Sequence, residues 1–191
     1  MDRRQQKTRK AIFDAFKELL EKHPYQSITI QNIIDRANIG RTTFYAHFAT
    51  KDELTGALCA ELFDHVLGTA VDSANQHCPL LEANGKENSV FLHILLHLEQ
   101  NENGILTLLS KDDSGIANRH FRERLESLAR KELHEKPHPE LDVDEDFLVS
   151  HISGSFVNMV QWWLSDWKKQ TPARLAAYFD TVMSPILGGN T

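Results

Sequence analysis

Between residues 41 and 51 stand Arg41, Thr42, Thr43, Tyr45, His47 and Lys51. Their guanidinium, hydroxyl, imidazole and ammonium groups are the kinds that bond phosphate oxygens or the edges of bases. Phe44 and Phe48 are interleaved with them, four residues apart, so a helix would turn both rings inward and leave the polar set outside. Tyr45 could instead lie half-buried against Phe16, His47 could serve as a cap, and Arg41 could point to solvent. A second constellation is His93 and His97, four apart on one helical face, a spacing that can hold a metal. No Glu stands between them in the metalloprotease pattern, no Cys or carboxylate adjoins them in clear register, and His120, His134, His138 and His151 are scattered. No metal site is expected, although a zinc sensor built on His93 and His97 stays open as an alternative. The chain has no glycine-rich phosphate loop and no Gly-x-Ser-x-Gly, and Cys59 and Cys78 lack a motif context. No catalytic residue, no cofactor and no enzyme activity are expected.

The elements that must position the polar set read at helical period throughout, and no stretch alternates like a strand. Residues 6–22 place Ile12, Phe13, Phe16, Leu19 and Leu20 on one face, and Pro24 marks the end of that helix. Two short helices follow, over 30–37 and 41–47. Thr29 is placed to cap the first of them, and Ile28 before it can pack on Ile33 as a hydrophobic staple. Asn38 tolerates the left-handed conformation needed to leave a helix, and Gly40 is an acceptable cap for the next. Helix, tight turn and short helix is the arrangement in which the second helix can lie in a major groove. Thr50-Lys51-Asp52-Glu53 forms a capping box at the start of a long helix, whose free N–H groups beside Lys51 would make a phosphate-binding end. After a polar loop from Pro79 to Asn88, helices are expected over 89–101, 104–110, 116–135, 143–168 and 172–187, with a turn at 136–139.

Hydrophobic residues make up 41% of the 191 and charged residues 25%, enough apolar sequence for a solvated globular protein with a real core. No run approaches the roughly 20 apolar residues that cross a bilayer, and the charged start shows no apolar signal segment, so a cytoplasmic protein is expected. Two cysteines fit buried or idle thiols in a reducing compartment. The net charge of −6 argues against a polyanion partner, but its distribution does not. Residues 1–54 carry ten basic against seven acidic side chains, and the remainder carries nine net negative charges. A basic head on an acidic body suggests that only the head meets nucleic acid.

The run 28–37, then Arg41-Thr42-Thr43-Phe44-Tyr45-Ala46-His47-Phe48, then Lys51-Asp52-Glu53-Leu54, resembles the DNA-binding domain of the TetR/AcrR family over about residues 8–56. The resemblance implies a homodimer that sets two heads on neighbouring major-groove faces of palindromic double-stranded DNA. It implies base or phosphate contact for Thr42, Thr43 and Tyr45, and phosphate contact for Thr29, His47 and Lys51. Arg41 joins this DNA-binding set from its place on the outer surface. Asn38 stands where the family usually has Gly. Gly40 stands where a Ser is common, which removes one phosphate contact.

The expected fold is all-α, a three-helix helix-turn-helix domain over 1–54 and a larger helical dimerisation and effector domain over 55–191. Residues 143–168 carry Leu148, Ile152, Phe156, Met159, Trp163 and Trp167 at three- to four-residue steps, and the last helix carries Leu175, Phe179, Val182 and Ile186. One side of each stripe must face the core, while aromatic excess near a chain end marks an interface. Phe156, Trp163, Phe179 and Val182 are the expected dimer contacts, and Ser153-Gly154-Ser155 would let a partner helix approach closely. The family resemblance makes these two helices a four-helix dimer interface and puts a ligand pocket among the middle helices. Phe91, Leu95, Leu98, Leu106 and Leu109 are candidates there but read as plain core, so the ligand-binding residues stay unknown. The expected function is a repressor answering to a small-molecule effector. The alternative is a C-terminal domain that binds a protein partner.

Overall fold

The computed structural model describes residues 3–71, 90–100, 104–111, 115–135, 143–165 and 169–187. Ile12, Phe13, Phe16 and Leu20 fall on one face of α1 (Arg3–Lys22) and are buried. That helix starts three residues earlier than the apolar period requires, because Arg and Gln are good helix formers that need no burial. A single 3-10 turn (Tyr25–Ser27) leads to α2 (Ile30–Ala37), and α3 (Arg41–Tyr45) follows after a tight turn. Then come α4 (Lys51–Val71), α5 (Val90–Gln100), α6 (Ile105–Lys111) and α7 (Ile116–Glu135). The last two are α8 (Glu145–Ser165) and α9 (Pro172–Leu187). The described residues are all-α: an N-terminal helix-turn-helix and a larger helical body. The polar loop with Cys78, the turn at 136–139 and Trp167 lie outside the described residues, as does the side chain of Ile186.

In the body, α7 packs between α4 and α8, while α5 packs against α9 and α4. The stripe on α8 and α9 divides into two faces with different partners. Phe156 on α8 and Phe179 on α9 meet Phe91 of α5, with ring centroids 5.2, 4.6 and 5.2 Å apart around the triangle. Each such pair adds about 0.5–1.5 kcal/mol beyond area burial. Trp163 is fully buried, and its indole N–H donates to the Gln170 carbonyl at 2.8 Å, so it closes the α8–α9 corner. Phe156, Trp163 and Phe179 therefore lie inside the subunit, contrary to their expected place on a dimer surface. Val182 is 67% exposed, joined outside by Trp162 and Tyr178. The small residues also serve the subunit itself. Ser153 is buried, and a Cβ on Gly154 would lie 3.8 Å from Nη2 of Arg122, so part of the thin stretch lies beside α7 of the same subunit.

His93 and His97 are 3% and 8% exposed, with their Nε2 atoms 3.0 Å apart. At that distance one ring donates to the other, so each polar ring has a partner inside the body. Among the described residues, no three His, Cys, Asp or Glu side chains converge as a metal site, and no helix is long and apolar enough to cross a membrane.

A candidate nucleic-acid interface

Thr29 caps α2 as its residue type requires: its hydroxyl accepts from the Asn32 amide at 3.1 Å, while Asn32 Oδ1 accepts from the Thr29 amide at 2.9 Å. Ile28 and Ile33, the two halves of the staple, are both buried. Asn38 leaves the helix at φ 52°, the left-handed region, and the amides of Asn38 and Ile39 close the end onto Asp35 and Ile34 carbonyls. Gly40 is extended, and a Cβ there would meet only Thr43 Oγ1 at an ordinary 3.6 Å. Ser would fit at this position, so nothing steric requires the glycine.

α3 has only five residues, too short to hold itself in water. Phe44 and Phe48, at 0% and 1% exposure, pin it to the head. Their centroids lie 6.1 Å apart, and the Phe13 ring of α1 packs at a tilt 5.6 Å from Phe48. The helix ends at Tyr45, two residues sooner than expected, because the His47 and Phe48 amides both turn back to the Phe44 carbonyl at 2.9 Å.

This anchoring leaves Arg41, Thr42, Thr43 and Tyr45 exposed along one short surface. Tyr45 is 49% exposed and touches Phe44 edge-on at 5.7 Å, rather than sinking against Phe16. Arg41 is tied back to α2, its Nη2 donating to Gln31 Oε1 at 2.7 Å. His47 is half-buried beside Phe48. A groove of about 470 Å³ runs between this surface and the start of α1, lined by Arg4, Gln5, Thr8 and Arg9 opposite Thr42, Thr43, Ala46 and His47. Sequence reasoning counted the basic residues at the chain start but did not place them beside α3. Their spacing on one side of an unbroken helix was the available signal.

Lys51 departs from its expected role. Its ammonium donates to the Tyr25 and Ile28 carbonyls, both at 2.7 Å, and sits 4.0 Å from the centre of the Tyr25 ring. The buried Thr55 hydroxyl donates to the Lys51 carbonyl at 2.9 Å and lies 3.3 Å from the Tyr25 hydroxyl. Two of the three ammonium protons thus hold the 25–28 turn that carries the Thr29 cap. Lys51→Ala is expected to lower stability by about 1 kcal/mol, because the Ile28 carbonyl loses this donor while the Tyr25 carbonyl keeps the Ile28 amide. An unchanged urea midpoint together with weakened DNA binding would instead support direct phosphate contact. The capping box of α4 forms, with Thr50 Oγ1 accepting from the Glu53 amide at 3.0 Å. The Glu53 carboxylate reaches the Ala49 amide, one residue before the expected one, at 2.7 Å.

Residues 12–58 match the model for bacterial regulatory proteins of the tetR family, and residues 87–185 match a transcriptional regulator C-terminal region. The crystal structure of a TetR transcriptional regulator from Streptococcus agalactiae 2603V is similar at a TM-score of 0.69 and 36% identity, over 95% of this chain and 96% of that one. The HTH-type transcriptional regulator YxbF of Bacillus subtilis strain 168 is 30% identical over 184 residues, 94% of this chain and 45% of the relative. The HTH-type dhaKLM operon transcriptional activator DhaS of Lactococcus lactis subsp. lactis strain IL1403 is 28% identical over 95 residues, 50% of this chain and 45% of the relative. The chain spans about half the length of these curated relatives.

Proposed function

The chain belongs to the TetR family of DNA-binding transcriptional regulators, and on that premise we propose that it is a homodimeric repressor that occupies a palindromic operator and answers to an effector bound in the helical body. The observation that carries the reading is the outward row of Arg41, Thr42, Thr43 and Tyr45 on a helix pinned from behind by two phenylalanines. Arg4, Gln5, Thr8 and Arg9 complete a polar groove around that row. In this reading Thr42, Thr43 and Tyr45 meet base edges or phosphates, and Thr29, Arg41, His47 and the start of α1 meet phosphates. Lys51 acts by holding the Thr29 turn.

Dimerisation is supported by where the apolar surface lies. Of the large hydrophobic side chains exposed among the described residues, Tyr45 belongs to the head. Val143, Phe147, Trp162, Tyr178 and Val182 all belong to α8, α9 or the approach to α8. Two heads joined through that face would engage half-sites about 34–36 Å apart, and an effector that shifts α4 would spoil the separation.

Fluorescence anisotropy with DNA from around the protein's own gene, over a salt series and against a scrambled duplex, tests the reading. Tyr45→Ala is expected to weaken operator binding by about 1–3 kcal/mol, and Arg4→Ala to reduce the salt slope by about one. Equal affinity for operator and scrambled DNA, or a Tyr45→Ala variant that binds as tightly as wild type, would sink it.

A second reading has its own support. The relative DhaS is named an activator, and Phe91, Leu95, Leu98, Leu106 and Leu109 are all at most 7% exposed. An exposed aromatic face fits a body that binds another protein. Retention of a partner by the wild type but not by a Phe147→Ala variant would favour it.

A further inference from the structure

Lys51 and Asp52 are consecutive at the start of α4, and they grip different parts of the molecule. Lys51 holds the head's 25–28 turn, whereas Asp52 reaches α7. Asp52 Oδ1 lies 2.7 Å from Nε2 of His120, and both Asp52 oxygens lie 3.0 Å from Nη2 of Arg119. The other ring nitrogen of His120, Nδ1, faces Glu123 Oε2 at 3.3 Å. The ring rests on Gly56 of α4 so closely that a Cβ there would come within 2.9–3.3 Å of three of its atoms. α4 thus carries a glycine at the one place where α7 brings an imidazole against its backbone.

His120 is therefore set between two carboxylates, hydrogen-bonded to Asp52 through Nε2 and within ion-pair distance of Glu123 through Nδ1. Only the imidazolium donates from both nitrogens. The imidazolium is drawn to both carboxylates, whereas a neutral ring keeps only the Asp52 hydrogen bond and loses both charge attractions. Among the described residues, the charged groups around the ring are Asp52 and Glu53 from α4 and Arg119, Glu123 and Arg124 from α7. The ring is 21% exposed at the edge of a groove of about 470 Å³, so solvent can deliver and remove the proton.

We propose that Asp52, Arg119, His120 and Glu123 form a proton-operated latch between the DNA-binding head and α7, closed when His120 is charged and slack when it is neutral. Burial opposes ionisation of Asp52, but the hydrogen bond from His120 and the charges of His120 and Arg119 outweigh it and hold that carboxyl below its ordinary range. Asp52 therefore stays a carboxylate across the neutral range, and imidazole is the side-chain type that changes charge near neutrality. The direction follows: rising pH slackens the latch, and the head loses its fixed orientation on the body. The same contact would relay any effector-driven shift of α7 to α3. The consequence for DNA rests on the operator reading above; the latch itself does not.

Hydrogen exchange of the intact protein at about pH 6 and about pH 8, corrected for the intrinsic amide rate, tests the latch without DNA. Asp52 and Arg119 are half-exposed, so the effect is modest. The first turns of α4 and α7 in the wild type are expected to exchange about two- to fivefold faster at the higher pH. His120→Gln and Asp52→Asn should each abolish that difference, while His151→Gln, exposed on α8, should keep it. Operator affinity should follow the same order, with a pH dependence in the wild type that His120→Gln reduces. An identical exchange response in wild type and His120→Gln would overturn the latch. The expected exchange pattern with no operator affinity at either pH would support the latch and overturn the operator reading.

Discussion

Val182→Asp is expected to turn the dimer into monomers and to remove most operator affinity. Val182 is 67% exposed on α9, one turn beyond Tyr178, and Trp162 supplies the aromatic surface of α8. In the proposed dimer, a two-fold axis through this face would bring each introduced carboxylate close to its own copy, in a patch that association strips of water. Like charges placed so cost several kcal/mol, enough to overcome a modest helical interface. Sedimentation should report the 21.8 kDa chain in place of twice that mass. Losing the second head should weaken operator binding by about a hundredfold or more, because the second contact is no longer intramolecular. Trp163→Ala is the contrasting variant. Its side chain is wholly internal, so truncation should cost about 3–5 kcal/mol of stability while the folded fraction still dimerises. A wild type that sediments as a monomer, or a Val182→Asp variant of unchanged mass, removes this face from consideration.

Phe44→Ala should abolish DNA binding by a different route. The ring is fully buried and packs on Phe48 and Tyr45, and a five-residue helix has no stability apart from such anchors. Truncation should cost about 3–5 kcal/mol, concentrated in the head, so that the row from Arg41 to Tyr45 loses its fixed geometry. Hydrogen exchange should rise across residues 29–48 while α8 and α9 stay protected. Operator affinity should fall by more than a hundredfold. Tyr45→Ala, which removes an outward ring, should lower affinity about tenfold and leave the urea midpoint within about 0.5 kcal/mol of wild type. Retained operator affinity in Phe44→Ala would show that α3 does not read the DNA.

Much of the head is legible in the residue order because its determinants are local. The Thr29 cap, the left-handed Asn38 and the inward pair Phe44 and Phe48 each depend on neighbours within about five residues, and each forms where that spacing puts it. The capping box at Thr50 also forms, with the Glu53 reach displaced by one residue. The internal contacts of Lys51 were not legible for the opposite reason. Its partners, the Tyr25 and Ile28 carbonyls, are 26 and 23 residues away, and only the way α4 crosses the 25–28 turn brings them within reach.

The same limit separates the two faces of the last helices. Periodicity determined that α8 and α9 are helices with broad apolar stripes, and the motif between Thr29 and Leu54 determined a DNA-binding head. Which half of each stripe faces inward could not be decided within the stripe, since Phe156 and Val182 are equally apolar. That depended on Phe91 of α5 filling the space between Phe156 and Phe179. Likewise Asp52 and His120 are 68 residues apart and carry no shared spacing; only the packing of α7 on α4 puts one against the other. Hydrogen bonds and side-chain periodicity along one helix are set by its own sequence. Contacts between helices depend on their crossing, which the whole core decides at once.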